Sequence, residues 1–304
     1  ELDIKGEISN AAAKEVLNYR QAMQVGFEMV RKKKLLTLNV VKQIQKELEH
    51  NNAGFRTVSG TKLKTSKGDV VYTPPQTGEE VAKYMSNLEK YINTQELQDI
   101  DPLIKMAIIH HQFESIHPFY DGNGRTGRII SILYLVMNDL LDLPILYLSR
   151  YITHNKSEYY RLIQEIRDTA PDNFNVWEEW IVFMLKGVEE TAIETIRLVK
   201  SISALMAKYK SILKPLFGKQ YKHELINNLF FHPYTKIEFM ERDMAVQRKT
   251  AAKYLDTIVQ ETGLLQKQKL GRSNYYINTE LIELFMLRGG NDNDVKNVIE
   301  SVNA

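Results

Sequence analysis

Residues 117–128 read HPFYDGNGRTGR, which brings a histidine, an aspartate, an asparagine between glycines and two arginines three positions apart into twelve residues. An imidazole titrating near neutrality can take a proton from an incoming hydroxyl, which makes His117 the candidate base. Asp121 offers one carboxylate, the usual protein share of a Mg²⁺ ion that is otherwise held by phosphate oxygens and water. Gly122, Asn123 and Gly124 stand directly before the apolar-periodic stretch RTGRIISILYLVMNDLL. Glycines permit positive φ, and the N–H groups freed at a helix start form a nest for an anion, reinforced by the helix dipole. Arg125 and Arg128 fall one turn apart on that helix, where two guanidinium forks can hold two phosphates of one nucleotide. Phe119 reads as the apolar anchor of the loop. Each part alone is common, but the order of base, metal ligand, anion nest, helix start and paired arginines is the layout of a phosphoryl or nucleotidyl transferase.

Two other chemistries compete for the same residues. His110, Glu114 and His117 share a helical face at i, i+4 and i+7, a spacing that suits a transition metal. No H-E-x-x-H is present, however, and Pro118 bends the chain at the third candidate. A P-loop fails on sequence, because Gly218-Lys219 is followed by Gln220 and lacks the earlier glycine.

The elements that must position these side chains are mainly helical. Apolar residues recur at helical spacing over 11–34, 36–50, 79–93, 103–116, 125–140, 156–168 and 174–213. Residues 55–73 break that period with β-branched residues and the turn signals Ser59-Gly60 and Lys67-Gly68-Asp69, and predict an exposed hairpin. Pro215 and Gly218 mark a domain boundary. The chain of 304 residues, with 43% hydrophobic residues and a net charge of +2, can bury a large core and carries no field that by itself calls for nucleic acid or membrane. Absence of cysteine excludes disulfides and thiolate chemistry and suits a cytoplasmic protein. No apolar run reaches the ~18 residues of a membrane span.

Residues 117–128 match in full the Fic family motif H-x-F-x-[D/E]-G-N-G-R-x-x-R, and the flanking text HHQFESIHPFYDGNGRTGRIISILYL, PILYLSRYI and YYRLIQEIRD extends the match over roughly residues 11 to 195. The chain therefore resembles Fic-family protein adenylyltransferases. The resemblance implies a Fic-type helical bundle with a β-hairpin flap, and transfer of AMP from ATP to a Ser, Thr or Tyr hydroxyl of a target protein or of the chain itself. It implies His117 as base, Asp121 as Mg²⁺ ligand, Gly122, Asn123 and Gly124 as the cradle of the α- and β-phosphates, and Arg125 and Arg128 as holders of the outer phosphates. Relatives without the G-N-G sequence use nucleotides as phosphotransferases; this chain has the nucleotidyl form. The hairpin near 55–73 falls where the family carries its flap, an edge strand that holds the target segment by backbone pairing. Many relatives also carry an inhibitory helix, [S/T]-x-x-x-E-[G/N], whose Glu pairs with the second motif arginine, here Arg128. No such hexapeptide occurs here, since ELDIKG has Lys5 in place of the Glu and Glu1 in place of the Ser or Thr. The expectation is that an inhibitory helix precedes residue 1 in a longer parent and that this chain is less repressed.

Beyond the boundary, residues 221–278 predict three short helices and a ribbon turned at Gly271-Arg272, an order that resembles a winged helix. Its third helix opens with Gln247, Arg248, Lys249 and Thr250, residue types that reach DNA, while Glu241, Asp243 and Asp256 nearby suit protein docking or homodimer contacts instead. The expected organisation is a catalytic domain over 1–214, a winged-helix domain over 215–288 and a polar tail over 289–304. The alternative function is a DNA-binding transcriptional regulator whose Fic-like part senses a nucleotide.

Overall fold

The computed structural model describes residues 11–65, 67–94, 100–169, 173–271 and 273–287. The polar tail and the ELDIKG stretch lie outside them. The first half is built of helices α1 (Ala11–Lys33), α2 (Leu38–Glu49), α3 (Gly78–Asn93), α4 (Pro102–Ile116), α5 (Asn123–Met137), α6 (Leu148–His154) and α7 (Lys156–Asp168). Local chemistry starts several of them. Thr37 accepts from the Val40 N–H at the head of α2, and Thr77 and Glu80 form a reciprocal capping box at the head of α3. At α4, Asp101 caps the Leu103 N–H and Pro102 takes the first helical position, where its missing N–H costs nothing.

Helices α4 and α5 are apolar nearly all round, the mark of helices enclosed by others. Met106, Ile109 and Phe113 of α4 and Ile129, Ile130 and Leu133 of α5 are within 1% of full burial. Gly26 lets α1 approach closely: a Cβ there would stand 2.6 Å from Leu133 Cδ1. A two-stranded antiparallel ribbon, β1 (Leu63–Lys64) and β2 (Val70–Tyr72), pairs Leu63 with Tyr72 and Lys64 with Val70. Thr65 and Asp69 close its turn, with Gly68 at φ 94°.

Helix α8 (Phe174–Phe217) runs four residues past the periodic stretch that predicts it and keeps Pro215 inside its last turn, where proline removes one backbone bond from a helix that is ending. Two compact units divide at Ile193/Glu194, within α8. The second unit contains α9 (His223–Phe231), α10 (Ile237–Met244), α11 (Arg248–Thr262) and α12 (Thr279–Leu287), with an antiparallel sheet of β3 (Tyr234–Thr235), β5 (Ser273–Ile277) and β4 (Gln266–Leu270) in that order. Its core gathers Tyr209, Leu213, Leu225, Leu255 and Tyr276. The fold is thus mainly α with small antiparallel sheets. Among the described residues, no helix is long and apolar enough to cross a membrane.

Candidate active site

The loop between α4 and α5 is built from its backbone outward. His117 ends α4 in the left-handed conformation, φ 49° and ψ 59°, with its N–H bonded to the Phe113 carbonyl at 2.9 Å. Phe119 is fully buried and contacts the rings of Phe55 and Phe113, the anchoring that its apolar side chain predicts. Asn123 clips the loop shut: its amide donates to the Phe119 carbonyl at 2.8 Å, and its Oδ1 accepts from the Phe119 N–H at 2.9 Å. The Asn123 side chain is therefore occupied, and only its backbone N–H remains for an anion. Gly122, at φ 80°, is the N-cap of α5, so the helix starts at Asn123, two residues earlier than its apolar period suggests. Gly124 belongs to the first turn, and the nest is that turn itself.

His117, Gly124 and Arg128 line one cavity of about 670 Å³ together with Glu114, Tyr159 and the ribbon residues Lys62–Thr65. Burial first, then the charges of Arg56 and Arg167, push the His117 imidazole down to about 4, against the opposing pull of Asp121 and the Glu114 carbonyl. His117 Nδ1 is buried and has no hydrogen-bond partner. Arg128 is held by Nε donating to Ser149 Oγ at 2.8 Å. It also borders a second cavity of about 710 Å³, shared with Arg125 and the α1 residues Glu15 and Tyr19.

Arg125 already has carboxylate partners, Glu15 at 3.0 Å and Glu49 at 2.7 Å. Glu49 lies against Gly122, where a Cβ would be 2.5 Å from its Oε1, and burial raises its carboxyl despite Arg125. Asp121 is exposed; its Oδ1 accepts from the Gly122 N–H at 2.7 Å, which leaves Oδ2 for a cation. Among the described residues there is no group of three or more His, Asp or Glu side chains that could hold a metal. The transition-metal reading of His110, Glu114 and His117 therefore fails. The helix ends before His117, and both His110 nitrogens are engaged, Nδ1 with Ser131 at 3.0 Å and Nε2 with Tyr159 at 2.8 Å. A single exposed carboxylate suits Mg²⁺, which takes most of its ligands from phosphate and water.

Comparison with known proteins finds two family profiles along the chain. The profile of the Fic/DOC family matches residues 35–135, which span α4, the whole motif loop and α5 as far as Leu135. The chain carries a Fic domain. A second profile, the C-terminal domain of SoFic-like protein adenylyltransferase, matches residues 205–281. The chain is 28% identical over 105 residues to protein adenylyltransferase fic-1 of Caenorhabditis briggsae, a match to 34% of this chain and 19% of that protein. It is 37% identical over 70 residues to protein adenylyltransferase Fic of Drosophila erecta, covering 23% and 13%. It thus spans less than a fifth of the length of these curated relatives. In fold it resembles a Fic family protein from Desulfovibrio desulfuricans G20, with a TM-score of 0.50 at 18% identity over 86% of this chain and 74% of that one.

Several contacts around the Fic motif depend on residues distant in the chain. Arg167 of α7 donates to the Glu114 carbonyl at 2.9 Å and to Ser115 Oγ at 3.0 Å, while stacking 4.0 Å over the Tyr72 ring of the ribbon. Tyr120 accepts from the Thr57 and Val58 N–H groups and so ties the root of the ribbon to the motif loop. Glu114 is buried between the fields of Arg128 and Arg167, with Oε1 unpaired and 2.7 Å from where a Gly127 Cβ would stand. For Gly127 a signal existed, since glycine inside an apolar helix marks close packing.

Proposed function

We propose that this chain is a Mg²⁺-dependent protein adenylyltransferase. A hydroxyl of a target protein attacks the α-phosphorus of ATP, a new P–O bond forms as the bond to pyrophosphate breaks, and the hydroxyl proton passes to His117 Nε2. The observation that carries this reading is the convergence of His117, Gly124 and Arg128 on one cavity at the start of α5. Backbone N–H groups of Asn123 and Gly124, joined by that of Gly122 once it is released from Asp121 Oδ1, hold the α- and β-phosphates at the positive end of that helix. Arg125 and Arg128 hold the outer phosphates, Arg125 by exchanging its two carboxylates for them. Asp121 holds Mg²⁺ through Oδ2, and the ion supplies charge neutralisation to the triphosphate.

The ribbon at 63–72 borders the cavity through Lys62–Thr65 and Val71, which supports its role as the flap that receives the target segment by strand addition. The three helices and antiparallel sheet after α8 support a winged-helix-like arrangement, which we assign to docking a protein, either a target or a second copy of the chain. The alternative of a DNA-binding regulator gains no support, because the likeness over 205–281 is to the C-terminal domain of an adenylyltransferase.

ATP labelled at the α- or the γ-phosphate, incubated with Mg²⁺ and the intact chain, tests the reading. Label transferred to protein from the α position alone supports it; transfer from the γ position sinks it.

A further inference from the structure

We propose that Arg56 is the positioning residue of His117, tying down the end of α4 so that the imidazole is held facing the cavity. The inference rests on His117 as the base of the proposed reaction. A helix end leaves its last carbonyls without intrahelical partners. Here Arg56 alone satisfies three carbonyls in succession: Nη2 donates to Ile116 at 3.1 Å, Nε to His117 at 2.7 Å, and its backbone N–H to Pro118 at 2.8 Å. These bonds bracket His117, whose backbone stands in the left-handed region at φ 49°. The clamp fixes the carbonyls on both sides of His117 and so the direction in which the imidazole leaves the backbone.

The burial of Arg56 argues the same way. It is 1% exposed, its Nη1 is buried without a hydrogen-bond partner, and Glu80 favours its charge with no ion pair between them. Its charge rests on the negative end of α4 instead. A guanidinium fork fits two adjacent carbonyls, and a lysine ammonium does not. The charge has a second effect on the same imidazole. Together with burial and Arg167, it opposes protonation of His117, while Asp121 and the Glu114 carbonyl favour it. Arg56 thus aims the base and adds to the burial that opposes its protonation.

Full-length Arg56→Lys and Arg56→Gln, compared with the wild type and with His117→Ala, separate the two effects. Arg56→Lys keeps the charge and loses the fork: kcat for AMP transfer falls by about 10²-fold, the order expected of a roughly 1 Å misplacement. KM for ATP and the NMR titration of the His117 imidazole stay as in the wild type. Arg56→Gln loses the charge as well, and the imidazole titration moves up from its depressed value. Wild-type kcat in Arg56→Lys, or a loss carried by KM alone, overturns the proposal; if Arg56→Gln does not fold, that comparison still decides. An unmoved titration in folded Arg56→Gln overturns the electrostatic half. Undiminished transfer by His117→Ala would instead refute the base assignment, and the titration would still report on Arg56.

Discussion

Asn123 holds both ends of its amide on the backbone of buried Phe119, so its contribution to the site is the shape of the loop. Asn123→Ala leaves one buried N–H and one buried carbonyl unpaired, at about 1–3 kcal/mol each. Denaturant titration should show a loss of roughly 2–6 kcal/mol, and a change below ~1 kcal/mol would contradict the clip. Gly127→Ala forces a methyl to 2.7 Å from Glu114 Oε1 and 3.0 Å from Phe113 Cδ1, inside the core. It should cost about 1–3 kcal/mol by overpacking, read in the same titration. The types and order of the motif residues were legible because each carries its chemistry in its side chain. Glycine inside an apolar helix signals close packing at 127, but which atoms press on it, and what Asn123 does with its amide, depend on Glu114 and Phe119, and no spacing in the chain reports those contacts.

At the scale of elements, the long helices were readable from their period, whereas α6, β3 and α12 span nine residues or fewer and are held by neighbours rather than by pattern. The start of α5 was misplaced by two residues because Gly122 caps it through backbone conformation, with no capping side chain to read. The hairpin was visible in its turn residues, but its attachment was not: Tyr120, inside the motif, accepts from the Thr57 and Val58 N–H groups at 3.1 and 3.4 Å. Tyr120→Phe removes these exposed bonds and should change global stability by less than about 1 kcal/mol. Hydrogen exchange at the Thr57 and Val58 amides should quicken, and KM for a protein target should rise while KM for ATP holds. Unchanged exchange at both amides would show that the ribbon is anchored elsewhere.

For the whole molecule, buried histidines set the response to acid. Burial holds His110 down to about 3 and His111 and His117 to about 4, against 6.5 for an ordinary imidazole. As pH falls from 6.5 toward those values, the unfolded chain binds protons that the native chain refuses, so stability falls by up to ~1.4 kcal/mol per pH unit for each histidine. Glu114 and Glu49, raised by burial, work the opposite way near the carboxylate range. Urea midpoints should therefore drop steadily between pH 6.5 and 5, and His111→Gln should flatten that slope; a slope unaltered in the variant would contradict the account. The central claim is that His117 takes the target's proton while α5 holds the triphosphate. It is tested most directly by the rate at which the intact chain and His117→Ala gain the mass of AMP at saturating Mg²⁺ and ATP, with nucleotide affinity measured alongside. The account predicts a loss of about 10²–10⁴-fold in rate with ATP affinity kept; an equal rate in the variant would contradict it.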